Sequence, residues 1–78
     1  MNVQYTLYAS LSEFSPDRSR RNLVVELPDG TTVRDLIGRL RVPEDEIKIM
    51  FVNGVHATLD TVLKEGDRVG LFPLVAGG

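Results

Sequence analysis

The sequence has no cysteine, no tryptophan and one histidine, His56. Without cysteine, disulfide bonds and thiolate metal sites are excluded. His56 has no second histidine beside which to build a transition-metal site, and it is the sole histidine candidate for the base of a catalytic triad. A surface or interface role is therefore favoured for His56. The composition predicts no metal site and argues against an enzyme in its own right.

A charge excess and long apolar runs are absent as well. The 78 residues carry nine Lys and Arg against eleven Asp and Glu, whereas nucleic-acid-binding domains are typically basic. The apolar stretches are far shorter than the roughly 20 residues that span a bilayer, and a signal-peptide pattern is missing. Neither a P-loop nor a dinucleotide-binding glycine motif occurs. We expect one cytoplasmic domain whose partners include neither nucleic acid nor membrane.

The residues that are present predict a two-layer α+β domain. Apolar residues alternate with polar ones from Val3, and turn residues separate several short β-rich segments. Strands are predicted over residues 3–8, 22–27, 47–52, 55–57 and 68–74. The polar segment 10–21 has two apolar anchors, Leu11 and Phe14, which suffice for one short helical turn. The Asn53-Gly54 pair is typical of a tight turn between two strands.

One helix is predicted after the turn that ends at Gly30. Thr32 is a plausible N-cap with Asp35 three residues later, and Pro43 ends the helix. A single apolar stripe is formed by Val33, Leu36, Ile37 and Leu40. Gly38 either allows close approach to the sheet or is a tolerated surface glycine. Such a helix covers one face of a four- or five-stranded sheet.

The C-terminal Gly77-Gly78 pair is the most informative feature. Glycine makes up about 7% of residues on average, so two terminal glycines have a chance probability of about 0.5%. One interpretation is a frayed tail. The other is a reactive end, since glycines enter a channel where a Cβ would clash. The terminal carboxylate can attack the α-phosphate of ATP to form an acyl adenylate, from which a sulfur or amine nucleophile displaces AMP. Nothing in this chain binds ATP, so a partner must supply that site.

The chain resembles the ubiquitin-like sulfur carriers, which include the small subunit of molybdopterin synthase and the thiamine-pathway sulfur carrier. The matching segments are Gly66-Asp67-Arg68-Val69, Leu71-Phe72-Pro73, Val75-Ala76-Gly77-Gly78, Val52-Asn53-Gly54 and Thr32-Val33-Arg34-Asp35-Leu36. Together these points span most of the chain outside residues 10–21. The family fold is the β-grasp, with a mixed four- to five-stranded sheet and one main helix. The resemblance therefore implies a β-grasp domain over residues 1–74 and a flexible reactive tail over residues 75–78.

The resemblance also implies a function. Gly78 is expected to be adenylated by a ubiquitin-activating-type enzyme that uses ATP, and then converted to a thiocarboxylate with sulfur from a donor protein. The sulfur is passed to a synthase, and no cofactor is bound by the chain itself. The ending favours the molybdopterin synthase type, whose large subunit is the expected acceptor. The alternatives are thiamine or another thiolation pathway, a modifier that forms isopeptide bonds with lysine, and a non-covalent binding module.

The strand phase predicts a partner surface near the tail. If Tyr5 and Leu71 face the core, Tyr8 and Phe72 face outward as an apolar patch, which usually marks an interface. The predicted partner-binding residues are Tyr8, His56, Arg68, Phe72 and Leu74, followed by the extended tail of Val75, Ala76, Gly77 and Gly78. The alternatives are that each aromatic shields a sheet edge and that Arg68 is merely solvated.

Overall fold

A computed structural model of the protein describes residues 1–15 and 23–74, and within these ranges the chain forms five β-strands and one α-helix. The elements are β1 (Asn2–Leu7), β2 (Leu23–Glu26), α1 (Val33–Leu40), β3 (Ile47–Val52), β4 (Val55–His56) and β5 (Arg68–Pro73). Short 3-10 helices lie at Ala9–Phe14 and Glu44–Glu46. The first confirms the helical turn predicted around Leu11 and Phe14. The rest of that loop and the predicted start of β2 at Asn22 lie outside the described residues.

The strands form one mixed sheet in the order β2-β1-β5-β3-β4. β1 runs parallel to β5, with Tyr5 opposite Val69 and Leu7 opposite Leu71. The other neighbouring strands are antiparallel. The first and last strands of the domain therefore lie side by side in the interior of the sheet. Four or five strands are predicted, and the described residues form five.

The core lies between one face of this sheet and α1, which confirms the predicted two-layer α+β arrangement. The alternation in β1 and β5 places one set of side chains against the helix, and the apolar stripe of α1 covers them. The buried residues of these three elements are Val3, Tyr5, Leu7, Val33, Leu36, Ile37, Val69 and Leu71. Burial raises the pKa of the Tyr5 phenol, which therefore stays neutral at physiological pH. No helix in the described part of the chain has the length and apolar character needed to cross a membrane.

The two ends of α1 have different capping structures. At the N-terminus, the Thr32 hydroxyl accepts from the Asp35 N–H and the Asp35 carboxylate accepts from the Thr32 N–H, both at 3.2 Å. This capping box confirms the predicted N-cap. The helix does stop before Pro43, but it is Arg41, in a left-handed conformation with φ of +60°, that ends it. Gly38 is exposed, and no atom lies within 4 Å of the position that a Cβ would take. Of the two alternatives for Gly38, a tolerated surface glycine is therefore the correct one.

The left-handed cap at Arg41 predicts opposite effects for the same substitution at two nearby arginines. Arg41→Gly should stabilise the domain by about 1 kcal/mol, because a left-handed conformation is strained for a residue with a Cβ. Arg39→Gly lies inside the helix and should destabilise the domain by about 1 kcal/mol. Urea unfolding of the two variants measures both free energies. Equal losses of stability would show that the cap at Arg41 carries no strain.

Candidate functional site

The face of the sheet turned away from α1 carries most of the predicted partner-binding residues. Phe51 of β3 lies opposite Gly70 of β5, and Phe72 lies opposite Ile49. His56 of β4 lies opposite Phe51. Because directly paired residues project to the same side of a sheet, these side chains share the outer face. Tyr8, which follows β1 directly, is in the same phase.

Four rings on this face form a continuous aromatic row: Tyr8, Phe72, Phe51 and His56. Tyr8 and Phe72 are stacked, with ring centroids 4.2 Å apart and an interplanar angle of 5°. Phe51 contacts Phe72 edge-on at 5.7 Å and His56 edge-on at 5.6 Å. Stacked and edge-to-face pairs are the favourable geometries for aromatic rings. The row therefore crosses from the end of β1 to β4 as one connected surface.

A shallow depression of about 530 Å³ lies beside the aromatic row. Its walls include Gln4 and Thr6 of β1, Arg68 of β5 and the Asn53-Gly54 turn. Arg68 is exposed, and its guanidinium has no hydrogen-bond or ion-pair partner among residues 1–15 and 23–74. Arg68 is thus a positive charge beside an apolar surface, available to a carboxylate on another molecule.

Hydrogen bonds centred on Asn53 and Asp67 hold the other end of this face. The Asn53 side chain donates to the Asp67 carboxylate at 2.8 Å and accepts from the Arg68 N–H at 3.0 Å. The second oxygen of Asp67 accepts from the Lys64 N–H at 2.8 Å. Asn53 and Gly54 have φ of +54° and +78°, which is the backbone geometry of a tight two-residue hairpin turn. These bonds tie the β3–β4 hairpin to the start of β5, which positions Arg68.

The structure brings together Tyr8, Phe72 and His56, while Arg68 lines the adjoining depression. Leu74 lies just past the end of β5, is 64% exposed, and donates its N–H to the Glu46 carbonyl at 3.2 Å. The edge-shielding alternative does not fit Phe72, because β5 has neighbouring strands on both sides. The predicted tail residues Val75, Ala76, Gly77 and Gly78 lie outside the described residues. The binding roles of all these residues remain predictions.

Two residues of the site were not predicted. Phe51 was read as part of an apolar strand, although its outward direction depends on its pairing with Gly70. Asp67 enters the sequence analysis only as part of the matching segment 66–69, although its carboxylate is largely buried and doubly hydrogen-bonded. The sequence carries no local signal for this role, because Asn53 and Asp67 lie 14 residues apart. Within the described residues, no group of three or more histidines and carboxylates could hold a metal ion.

The contact between Asn53 and Asp67 predicts a pH-dependent defect when Asn53 becomes acidic. Asn53→Asp should cost at least about 2 kcal/mol at pH 7, since two carboxylates then replace a hydrogen-bonded pair. The two neighbouring carboxylates should take up a proton at a higher pH in the folded variant than in its unfolded chain. The free energy of unfolding of the variant, relative to that of the wild type, should therefore rise as the pH falls towards about 4.5. Urea unfolding at both pH values measures this.

Asn53→Gly is the matched control, because glycine tolerates the left-handed turn and adds no charge. Its unfolding free energy should change less between the two pH values than that of Asn53→Asp. A parallel pH response in the two variants would contradict the assigned contact.

Comparison with known proteins covers the C-terminal residues as well as the described domain. The model of the ThiS family matches residues 5–78. The molybdopterin synthase sulfur carrier subunit of Mycobacterium tuberculosis is 33% identical over 84 residues, a match that covers 100% of this chain and 96% of that relative. The similarity therefore includes both the described domain and the Gly77-Gly78 ending.

Solved structures share the fold. Small archaeal modifier protein 1 from Haloferax volcanii superposes with a TM-score of 0.75 at 28% identity, covering 95% of this chain and 98% of that one. Subunit 1 in the complex of subunits 1 and 2 of the molybdopterin-converting factor from Helicobacter pylori gives 0.63 at 21% identity, with full coverage of both chains. At that identity the second likeness concerns the fold alone. The predicted β-grasp fold is confirmed by these superpositions.

Proposed function

Because the chain belongs to the ThiS family of ubiquitin-like sulfur carriers, we propose that it carries sulfur as a thiocarboxylate on Gly78 for molybdopterin biosynthesis. The observation that carries this proposal is the Gly77-Gly78 ending within a family match that runs to residue 78. The chain is a carrier that reacts and is regenerated, and it is not itself the catalyst.

The proposed chemistry takes place on the carbonyl carbon of Gly78. The carboxylate attacks the α-phosphate of ATP in the site of a ubiquitin-activating-type enzyme, so that pyrophosphate leaves and an acyl adenylate forms. The outer sulfur of a persulfide on a donor protein then attacks the carbonyl carbon, so that AMP leaves with one carboxylate oxygen and an acyl disulfide forms. A partner thiol attacks the donor's sulfur in this disulfide, so that the thiocarboxylate of Gly78 leaves and a disulfide forms between the thiol and the donor. One oxygen of the carboxylate has been replaced by sulfur. Both ATP and the catalytic groups are contributed by partners.

The position of Leu74 supports this proposal, in which the chain contributes Gly78 and its partners contribute the catalytic groups. The chain leaves the sheet at the end of β5, which is held by strands on both sides. Four residues follow Leu74, and four residues span at most about 13–14 Å when extended. When a partner binds the outer face of the sheet near Leu74, the carboxylate of Gly78 therefore lies no farther than that distance from Leu74.

The aromatic row and Arg68 are the proposed docking surface for these partners. Aromatic side chains dominate binding energies at many interfaces, and an exposed arginine at the rim favours encounter with an acidic surface. We propose the activating enzyme and the sulfur-accepting synthase as the two partners. The Mycobacterium tuberculosis relative is named as a subunit of molybdopterin synthase, which supports a synthase subunit as the acceptor. Cytoplasmic residence remains part of this proposal.

A second candidate function is protein modification, which the likeness to the Haloferax volcanii modifier protein favours. The same acyl adenylate would then be attacked by a lysine amine to form an isopeptide bond. Trypsin cleaves after arginine, and Arg68 is the last basic residue of the chain. A modified lysine would therefore carry the remnant 69–78 in a tryptic digest.

The carrier proposal predicts a defined mass change. Protein isolated together with its activating enzyme, ATP and sulfur donor should be about 16 Da heavier, because one oxygen has been replaced by sulfur. Intact-protein mass spectrometry measures the change. A variant lacking Gly78 should show no gain, and its fold should be unaltered. An intact tail that never gains this mass would contradict the carrier function, and 69–78 remnants on lysines would then support the modifier.

The docking surface predicts which substitutions weaken binding to the activating enzyme. Phe72→Ala removes one of the two inner rings of the aromatic row and should raise the dissociation constant at least tenfold. Arg68→Glu should mainly slow association, and the defect should shrink at high salt. Val24→Ala is the control, since Val24 is exposed on the outer face of β2 but outside the row. Surface plasmon resonance gives both rate constants, and equal effects at Val24 and Phe72 would contradict the assigned surface.

A further inference from the structure

We propose that Gly70 is a positioning residue for the docking surface: the absence of a side chain at Gly70 allows the Tyr8 ring to lie flat against Phe72 in a single orientation. This inference rests on the proposed function, because it concerns how the carrier presents itself to its activating enzyme. Gly70 acts through the orientation of the Tyr8 ring and does not have to contact the partner itself.

The space above Gly70 is occupied by Tyr8. A Cβ built on Gly70 would lie 3.2 Å from Cε2 of Tyr8 and 3.7 Å from Cε2 of Phe72. The first distance is shorter than ordinary van der Waals contact between carbon atoms. Gly70 lies in the interior of β5, where glycine weakens a strand, and its φ is not among the positive values. The requirement for glycine at this position therefore comes from the ring above it and not from the backbone.

The backbone of Tyr8 is held independently of its ring. Its N–H donates to the Leu71 carbonyl at 3.0 Å, and its own carbonyl accepts from the Leu11 N–H at 3.1 Å. Ala9 follows with φ of +50°, which turns the chain away from β1, and Leu11 is buried in the core. Because the backbone on both sides of Tyr8 is fixed, an added methyl group at Gly70 has to move the ring itself by a few tenths of an ångström, which alters its stacking on Phe72.

This displacement would change the orientation of the Tyr8 ring, which is the first ring of the aromatic row. Tyr8 is 42% exposed, so one face of the stack is available to a partner. Side chains that are held in their bound orientation before association lose less entropy on binding. A methyl group at Gly70 is therefore expected to weaken docking although it adds apolar surface to the face.

The test uses the full chain with its activating enzyme, in an assay of carrier-dependent exchange between ATP and pyrophosphate. Gly70→Ala should raise the KM for the carrier about threefold to tenfold, a loss on the scale of one aromatic stack. The kcat should change less than twofold, because the tail is untouched. Gly38→Ala is the matched control, since Gly38 lies on α1 with nothing near its Cβ position, and it should leave KM unchanged.

A double-mutant cycle shows whether Gly70 acts through Tyr8. In a Tyr8→Leu background, Gly70→Ala should change KM by less than twofold. Proton NMR of the free protein gives a second readout, because the ring-current shifts of the Tyr8 and Phe72 protons should change in Gly70→Ala and stay at their wild-type values in Gly38→Ala. An unchanged KM for Gly70→Ala, or an undiminished effect in the Tyr8→Leu background, would overturn the inference. If the wild-type protein supports no exchange at all, the proposed function fails, while the NMR shifts still decide the role of Gly70.

Discussion

The parallel pairing of β1 with β5 is the contact on which the rest of the structure depends. It pairs Gln4 with Arg68 and Leu7 with Leu71, which lie near opposite ends of the chain. Its formation therefore carries the entropic cost of closing a loop of about 60 residues. The same pairing brings buried side chains of both strands under α1 and sets Tyr8 beside Phe72 on the opposite face. The core and the docking surface are therefore two sides of one contact. A partially folded chain would lack both.

This arrangement separates recognition from chemistry. The described residues provide a sheet whose outer face carries the aromatic row with Arg68 beside it, while the proposed reaction takes place on Gly78. A carrier of this kind needs neither a catalytic base nor a thiol of its own, which accounts for a sequence without cysteine and with one histidine. His56 closes the aromatic row as an edge-on neighbour of Phe51. His56 is exposed, which agrees with the surface position that the sequence predicts, and its role at an interface stays a prediction.

Local patterns predicted the elements better than the site. Alternation from Val3, the Asn53-Gly54 turn and the Thr32–Asp35 pair each depend on residues close in sequence, and each was confirmed. The left-handed cap at Arg41 was missed because a residue other than glycine rarely takes that conformation. Phe51 and Asp67 were missed because their roles depend on strand order and on a hydrogen bond across 14 residues. A resemblance to a family gives the fold, but the register decides which face each aromatic side chain occupies.

The interior position of β5 also bears on how a partner can use the tail. A partner that grips residues beyond Leu74 pulls on the strand to which they are attached. An edge strand has one ladder of hydrogen bonds to resist such a pull, whereas β5 has two, one to β1 and one to β3. The Leu74 N–H adds a further bond to the Glu46 carbonyl. A partner that binds the residues beyond Leu74 therefore need not disturb the aromatic row, so the proposed docking surface would be the same before and after the proposed loading of sulfur.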